Sequence, residues 1–198
     1  MKKPLRLGLL ISGGGTTMQN LADVIGRGEL DAELVCCVAS NAACFGVERA
    51  KRLGIPAEVV SRKESASVEV FSERITGVLR RHQVDLALMA GFLSLWKIPA
   101  DLQGRVLNIH PALLPKFGGK GMHGHFVHEA VLAAGEKESG CTVHLADNQY
   151  DHGPILVQRR VPVLAGDTAQ ELAKRVFAEE CVAYPQAVRM MMGRRGTF

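Results

Sequence analysis

Asn108 and His110 stand two residues apart in "NIHPALLPKF" (108–117), at the end of the apolar run "RVL". If the strand continues, both side chains emerge on the same side. Pro111 biases His110 toward an extended backbone, which holds its ring at a strand tip. An asparagine amide and an imidazolium N–H can both donate to a developing oxyanion. The alternative is a pair that merely caps the strand and satisfies loop amides. Two further features carry chemistry. "SGGGTT" (12–17) contains Gly13, Gly14, Gly15, Thr16 and Thr17, and it separates an apolar run from a helical pattern. Backbone N–H groups and a helix dipole at such a place favour an anion. In "YDHGPILVQ" (150–158), Asp151 precedes a glycine turn that leads into a strand, where an aspartate is commonly a turn former.

The glycine loop is not a Walker A sequence, because G-x-x-x-x-G-K-[ST] is absent. It also departs from the dinucleotide fingerprint. Met18 stands where a third glycine belongs, and the second strand runs into Ser40 and Asn41 rather than an acidic residue. A phosphomonoester suits the loop better than a dinucleotide, with a plain tight turn as the alternative. His123, His125 and His128, with His110, His144 and His152, do not have the usual tetrahedral zinc spacing, and no metal is expected. His123 or His125 is read as starting a helix, with His128 facing solvent. No cysteine falls at a predicted strand tip beside a histidine, which argues against a thiol nucleophile.

The elements that must position these residues alternate. Strands are read at 5–12, 32–40, 57–60, 85–91, 105–111, 141–147 and 155–163. The spacing of Met18, Leu21, Ala22 and Ile25 predicts a helix over 18–28. Further helices are predicted over 44–54, over about 17 residues ending near His82, over 124–136 and from about Thr168 to Met192. Continuous apolar strands alternating with helices indicate a parallel sheet covered on both faces. The last two strands have no helix between them and are expected to pair antiparallel at one edge. The expected fold class is therefore α/β: a single doubly wound domain over residues 1–198, with a mostly parallel twisted sheet and an antiparallel edge. In such sheets ligands bind at the carboxyl ends of the strands, where strand order reverses.

A chain of 198 residues, 47% hydrophobic and 22% charged, has a globular composition and buries roughly 70% of its unfolded surface. Its formal net charge of +4 is spread along the chain. The nearest thing to a basic cluster, Arg189, Arg194 and Arg195 in the last ten residues, has few aromatics around it; it is weak evidence for nucleic acid, and a solvated helix end is the better reading. Five cysteines without CxxC spacing suit reduced thiols in a cytoplasmic protein. No segment approaches the roughly 20 apolar residues that cross a membrane.

"NIHPALLP", "YDHGPI", "SNAACFGVERAKRLGIP" (40–56), "LMAGFLSL" (88–95) and "ISGGGTTMQNL" (11–21) occur in the order seen in folate-dependent formyltransferases. The chain resembles that family from about residue 5 to residue 188. Within it, the branch that formylates glycinamide ribonucleotide in purine synthesis is the most similar. The resemblance implies formyl transfer from 10-formyltetrahydrofolate as co-substrate to the amine of phosphoribosylglycinamide. Asn108, His110 and Asp151 match the family's catalytic trio. Gly13, Gly14, Gly15, Thr16 and Thr17 match the phosphate site, and Glu180 matches an acidic residue that contacts the ribose. Met89, Leu93, Ser94 and Leu95 match the wall that receives the pterin, together with Asn108, and His144 matches a supporting histidine. Thr17 stands where many relatives carry asparagine, Ser94 replaces a frequent arginine, and "KFGGKGMHGH" (116–125) is built differently, with Lys116 and Lys120 in it. The implied partners are these two small molecules, with neither nucleic acid nor membrane, for a monomer or homodimer. A tRNA formyltransferase or a formyltetrahydrofolate hydrolase is the nearest alternative, but each needs an added domain for which 198 residues leave no room. A binding module that uses only the glycine loop is a further one.

Overall fold

The computed structural model describes residues 3–194, so Arg195 of the basic cluster lies outside the described residues. Seven strands and five α-helices follow in the order expected. They are β1 (Leu5–Ile11), α1 (Thr16–Gly26), β2 (Ala32–Ala39), α2 (Phe45–Arg52), β3 (Ala57–Val59), α3 (Val68–Arg81), β4 (Leu86–Met89), β5 (Val106–His110), α4 (His125–Ala133), β6 (Glu138–Leu145), β7 (Ile155–Pro162) and α5 (Ala169–Met192). Hydrogen bonding orders the strands β3-β2-β1-β4-β5-β6-β7. The fold is α/β, with a mostly parallel sheet and one antiparallel pair at its edge. One compact unit closes at Leu107 and a second opens at Asn108.

In the first unit every strand pair is parallel: β1 with β2, β2 with β3, and β1 with β4. The chain lays β1, β2 and β3 outward, then returns to put β4 on the other side of β1. The carboxyl ends of β1 and β4 therefore border the reversal of strand order. Leu5, Leu7, Leu9, Leu10 and Ile11 are fully buried, which explains a strand without polar alternation. Gly8 is required within it, because a Cβ there would lie 2.7 Å from Leu79 Cδ2 of α3. Helix α1 begins two residues before the predicted Met18, because Gly15 adopts the left-handed conformation (φ 69°, ψ 27°) as its N-cap. Helix α3 is shorter than predicted. Ser67 caps it by accepting from the Val70 amide, and Ser65 Oγ donates to the Ser61 carbonyl in the turn before it.

In the second unit β6 and β7 pair antiparallel from Glu138↔Pro162 to His144↔Ile155. Strand β6 starts three residues before the predicted Cys141, with an ion pair across the strands between Glu138 and Arg160 at 2.7 Å. Helix α5 packs against β6, β7 and α4. It opens with a reciprocal cap between Thr168 and Glu171 and continues through Pro185. One expectation fails in α4. His128, read as facing solvent, is only 4% exposed. The inward face of α4 is Val127, His128 and Val131, whereas Phe126 is turned out. Residues three and four apart share a helix face, so the phase set by Val127 and Val131 carries His128 inward with them. No helix among the described residues is long and apolar enough to cross a membrane.

Candidate active site

Strand β5 delivers Asn108 and His110 from alternate positions on one side, as their spacing requires. The turn between β6 and β7 delivers Asp151, whose backbone has a positive φ of 50°. The three side chains converge within the second unit. Asn108 Nδ2 donates to Asp151 Oδ1 at 3.2 Å, and His110 Nδ1 lies 3.3 Å from the same oxygen. Asp151 Oδ2 accepts from the Gly119 amide at 2.9 Å. His144, from β6, joins them: its Nε2 lies 3.0 Å from Asn108 Nδ2, and its Nδ1 lies 3.1 Å from the Leu145 carbonyl.

These contacts fix the tautomers. The Leu145 carbonyl can only accept, so His144 carries its proton on Nδ1 and accepts from Asn108 on Nε2. Burial lowers the His144 pKa, which agrees with a neutral ring. His110 Nε2 donates to the Phe117 carbonyl at 2.8 Å, while its Nδ1 faces the Asp151 carboxylate. Both of its nitrogens therefore face acceptors. Burial opposes ionisation of Asp151. The His110 hydrogen bond and charge, the Gly119 amide and His144 together outweigh that burial and hold the carboxyl below its ordinary range.

Asn108 already spends both amide hydrogens, one on His144 and one on Asp151, and His110 spends its Nε2–H on Phe117. A reacting oxygen must compete for hydrogens that are oriented but engaged.

Glu180, on α5, is half-buried, and burial raises its carboxyl to about 7 while His110 pulls the other way. Among the described residues, His128 has no partner for its buried Nδ1. Burial lowers its pKa, and the charges of His110 and His125 add to that effect. Among the described residues, no group of three or more His, Cys, Asp or Glu side chains has the arrangement of a metal site. All five cysteines are free thiols, and burial pushes Cys36, Cys37 and Cys141 up to about 12, far from nucleophilic use.

The glycine loop belongs to the first unit. Gly13 and Gly14 are exposed, and a Cβ on either would meet nothing within 4 Å. Helix α1 has no side-chain cap and no acidic residue in its first turn, which leaves its first amides available to an anion. Thr16 is exposed, whereas Thr17 is buried, so only Thr16 turns its side chain outward. Met89 is half-buried at the end of β4 and Leu93 is exposed. The Leu93 amide donates to Ser12 Oγ at 2.9 Å, and that hydroxyl is 2.6 Å from Ser40 Oγ. This ties the segment of Leu93, Ser94 and Leu95 to the tips of β1 and β2.

Sequence reasoning missed the Phe117 carbonyl and the Gly119 amide, which hold His110 and Asp151. The available signal was glycine in "KFGGKG". A Cβ on Gly118 would come within 2.5 Å of Leu114 Cδ2 and 3.2 Å of Asp151 Cβ, so a side chain there would press on Leu114 and Asp151.

Residues 5–188 match the formyl transferase family model. The chain is 42% identical over 188 residues to the chloroplastic phosphoribosylglycinamide formyltransferase of Arabidopsis thaliana, covering 92% of this chain and 64% of that protein. It is 40% identical to the trifunctional purine biosynthetic protein adenosine-3 of Drosophila pseudoobscura pseudoobscura, over 94% of this chain and 14% of that one. The chain thus spans less than two thirds of the length of these curated relatives. The crystal structure of phosphoribosylglycinamide formyltransferase from Brucella melitensis superimposes with a TM-score of 0.86 at 40% identity, covering 96% of each chain. That of glycinamide ribonucleotide transformylase 1 from Symbiobacterium toebii gives a TM-score of 0.88 at 36% identity, over 96% of this chain and 89% of that one.

Proposed function

The chain belongs to the formyl transferase family, and from that footing we propose that it transfers a formyl group from 10-formyltetrahydrofolate to the primary amine of phosphoribosylglycinamide. The observation that carries this reading is the hydrogen-bonded set of Asn108, His110, Asp151 and His144 in a chain that matches the family over 5–188.

The amine nitrogen attacks the formyl carbon, and the carbonyl electrons collect on oxygen in a tetrahedral intermediate. Asn108 and His110 donate to that oxyanion, and one preorganised donor of this kind is worth roughly 10²–10³ in rate. Asp151 accepts the proton lost by the amine, and its depressed pKa keeps it ionised to do so. Protonation of Asp151 weakens its hold on Asn108 Nδ2, which releases that N–H to the oxyanion as charge develops there. Collapse of the intermediate breaks the carbon–N10 bond, and the proton passes from Asp151 to N10, directly or through water. Electrons and protons balance without a covalent enzyme intermediate, which suits a chain whose thiols are inert.

The loop of Gly13, Gly14, Gly15 and Thr16 takes the acceptor's phosphate, with Thr17 contributing through its backbone alone. Glu180 bonds the ribose. Met89 and the backbone of Leu93, Ser94 and Leu95 receive the pterin, and His144 orients Asn108. The partners are these two small molecules, for a chain that acts as a monomer or homodimer. Its free cysteines suit a reducing compartment such as the cytoplasm. The test is an assay of folate absorbance with candidate amine acceptors supplied one at a time. Turnover with phosphoribosylglycinamide alone supports the reading. Equal turnover with an unphosphorylated amine, or none with any, overturns it.

A further inference from the structure

The glycine loop does not hold its shape alone; α2 grips it. Gly46 N donates to the Gly13 carbonyl at 3.1 Å, and Arg49 Nε donates to the Gly14 carbonyl at 2.9 Å. Arg49 Nη1 also reaches Gln19 Oε1 on α1 at 3.2 Å, and its guanidinium lies 5.3 Å from the centre of the Phe45 ring. The approach is close enough to demand glycine: a Cβ on Gly46 would sit 2.7 Å from the Gly13 oxygen and 2.3 Å from Ile11 Cδ1.

A trans peptide is planar, with its C=O and the following N–H pointing in opposite directions. Drawing the Gly13 and Gly14 carbonyls toward α2 therefore aims the Gly14 and Gly15 N–H groups the other way. Gly13 and Gly14 are exposed, with nothing within 4 Å of where their side chains would be. Successive backbone N–H groups aimed together make an anion-binding concavity. The carbonyls held back would otherwise present negative dipoles to the same anion.

We infer that Arg49 is a positioning residue for acceptor binding, which holds the Gly14 carbonyl back so that the loop amides face the phosphate. This rests on the reading of the loop as the phosphate site. Lysine does not substitute, because a single ammonium cannot hold Gly14, Gln19 and the Phe45 face in one plane.

The test is steady-state kinetics of Arg49→Ala and Arg49→Lys, varying each substrate separately, with inorganic phosphate as a competitive probe. The loss of a hydrogen bond from a charged donor predicts a rise in acceptor KM of roughly 10- to 100-fold. The inhibition constant of phosphate rises in parallel, while kcat and the folate KM stay within twofold. Arg49→Lys, which keeps the charge and is the gentler change should the alanine variant fail to fold, shows most of the same defect. An unchanged acceptor KM in Arg49→Ala overturns the inference. So does normal binding in Arg49→Lys, which would make the charge sufficient, or a joint fall in kcat and both affinities, which would make Arg49 a general structural clamp. Gly13→Val separates this failure from failure of the loop reading. If it raises the acceptor KM while the Arg49 variants do not, only the role of Arg49 falls. If it too leaves the acceptor KM unchanged, the loop is no phosphate site and the inference falls with it.

Discussion

Replacing Asp151 with asparagine keeps the shape of the side chain and removes its charge. Asparagine tolerates the left-handed backbone that Asp151 adopts at φ 50°, so the turn survives. The hydrogen bonds do not all survive. Asp151 Oδ1 serves Asn108 and His110, and Oδ2 serves the Gly119 amide. An asparagine brings one oxygen and one NH2 group. Whichever way it turns, the NH2 meets a donor, either the Gly119 N–H or the Asn108 Nδ2. A buried donor left unpaired costs about 1–3 kcal/mol of stability. The stability difference also depends on pH. The Asp151 carboxyl is held below its ordinary range, so its charge contributes fully above the unfolded value near 3.9. That contribution is lost as pH falls through the folded value, so the variant and the parent converge in acid. The chemistry loses more. Without a carboxylate to take the amine proton, kcat falls about 10²–10⁴-fold, some 3–5 kcal/mol of barrier. Turnover followed by folate absorbance at saturating concentrations of both substrates, beside thermal melting, measures both effects. A variant with kcat within threefold of the parent would leave Asp151 a turn former with no part in proton transfer.

Asn108→Ala and His110→Ala are each expected to lower kcat by roughly 10²-fold or more with the fold intact, and the double variant to be little slower than either single one. Fully multiplicative losses would mean that the two do not serve one oxygen. Gly118→Ala forces a Cβ to within 3.2 Å of Asp151 Cβ and 2.5 Å of Leu114 Cδ2, so kcat falls although no side chain of the trio has changed; normal turnover would detach the loop from the mechanism. Burial raises Glu180 to about 7, so the folded chain binds a proton there more tightly than the unfolded chain does, and stability falls as pH rises from the ordinary glutamate range through about 7. Glu180→Gln removes that fall, and its Tm relative to the parent increases between pH 4 and pH 8; a constant difference across that span contradicts the assignment.

The alternation of elements was legible because β1 and β4 are almost wholly buried and read as largely apolar runs. The ends were less so. Ser139 and Gly140 carry no strand signal, and β6 reaches back to Glu138 only through its pairing with β7. His128 is polar, yet the helix phase that Val127 and Val131 impose carries it inward. Asn108 and His110 announced themselves by their spacing. Asp151, 43 positions from Asn108, reached the trio only through the resemblance, since in isolation it is indistinguishable from a turn aspartate. The Phe117 carbonyl and the Gly119 amide are backbone atoms, which every residue possesses, so no side-chain pattern reveals them. Arg49 was hidden for a related reason: its partner is a carbonyl 35 residues away.

The proposed reaction is a direct transfer between two small molecules. It is tested most directly by supplying 10-formyltetrahydrofolate labelled in the formyl carbon together with phosphoribosylglycinamide, and weighing the products. The expected result is one labelled formyl group on the acceptor's amine for each tetrahydrofolate released, with no label in free formate. Label appearing as formate with the acceptor unchanged would rule out direct transfer and make the chain a hydrolase.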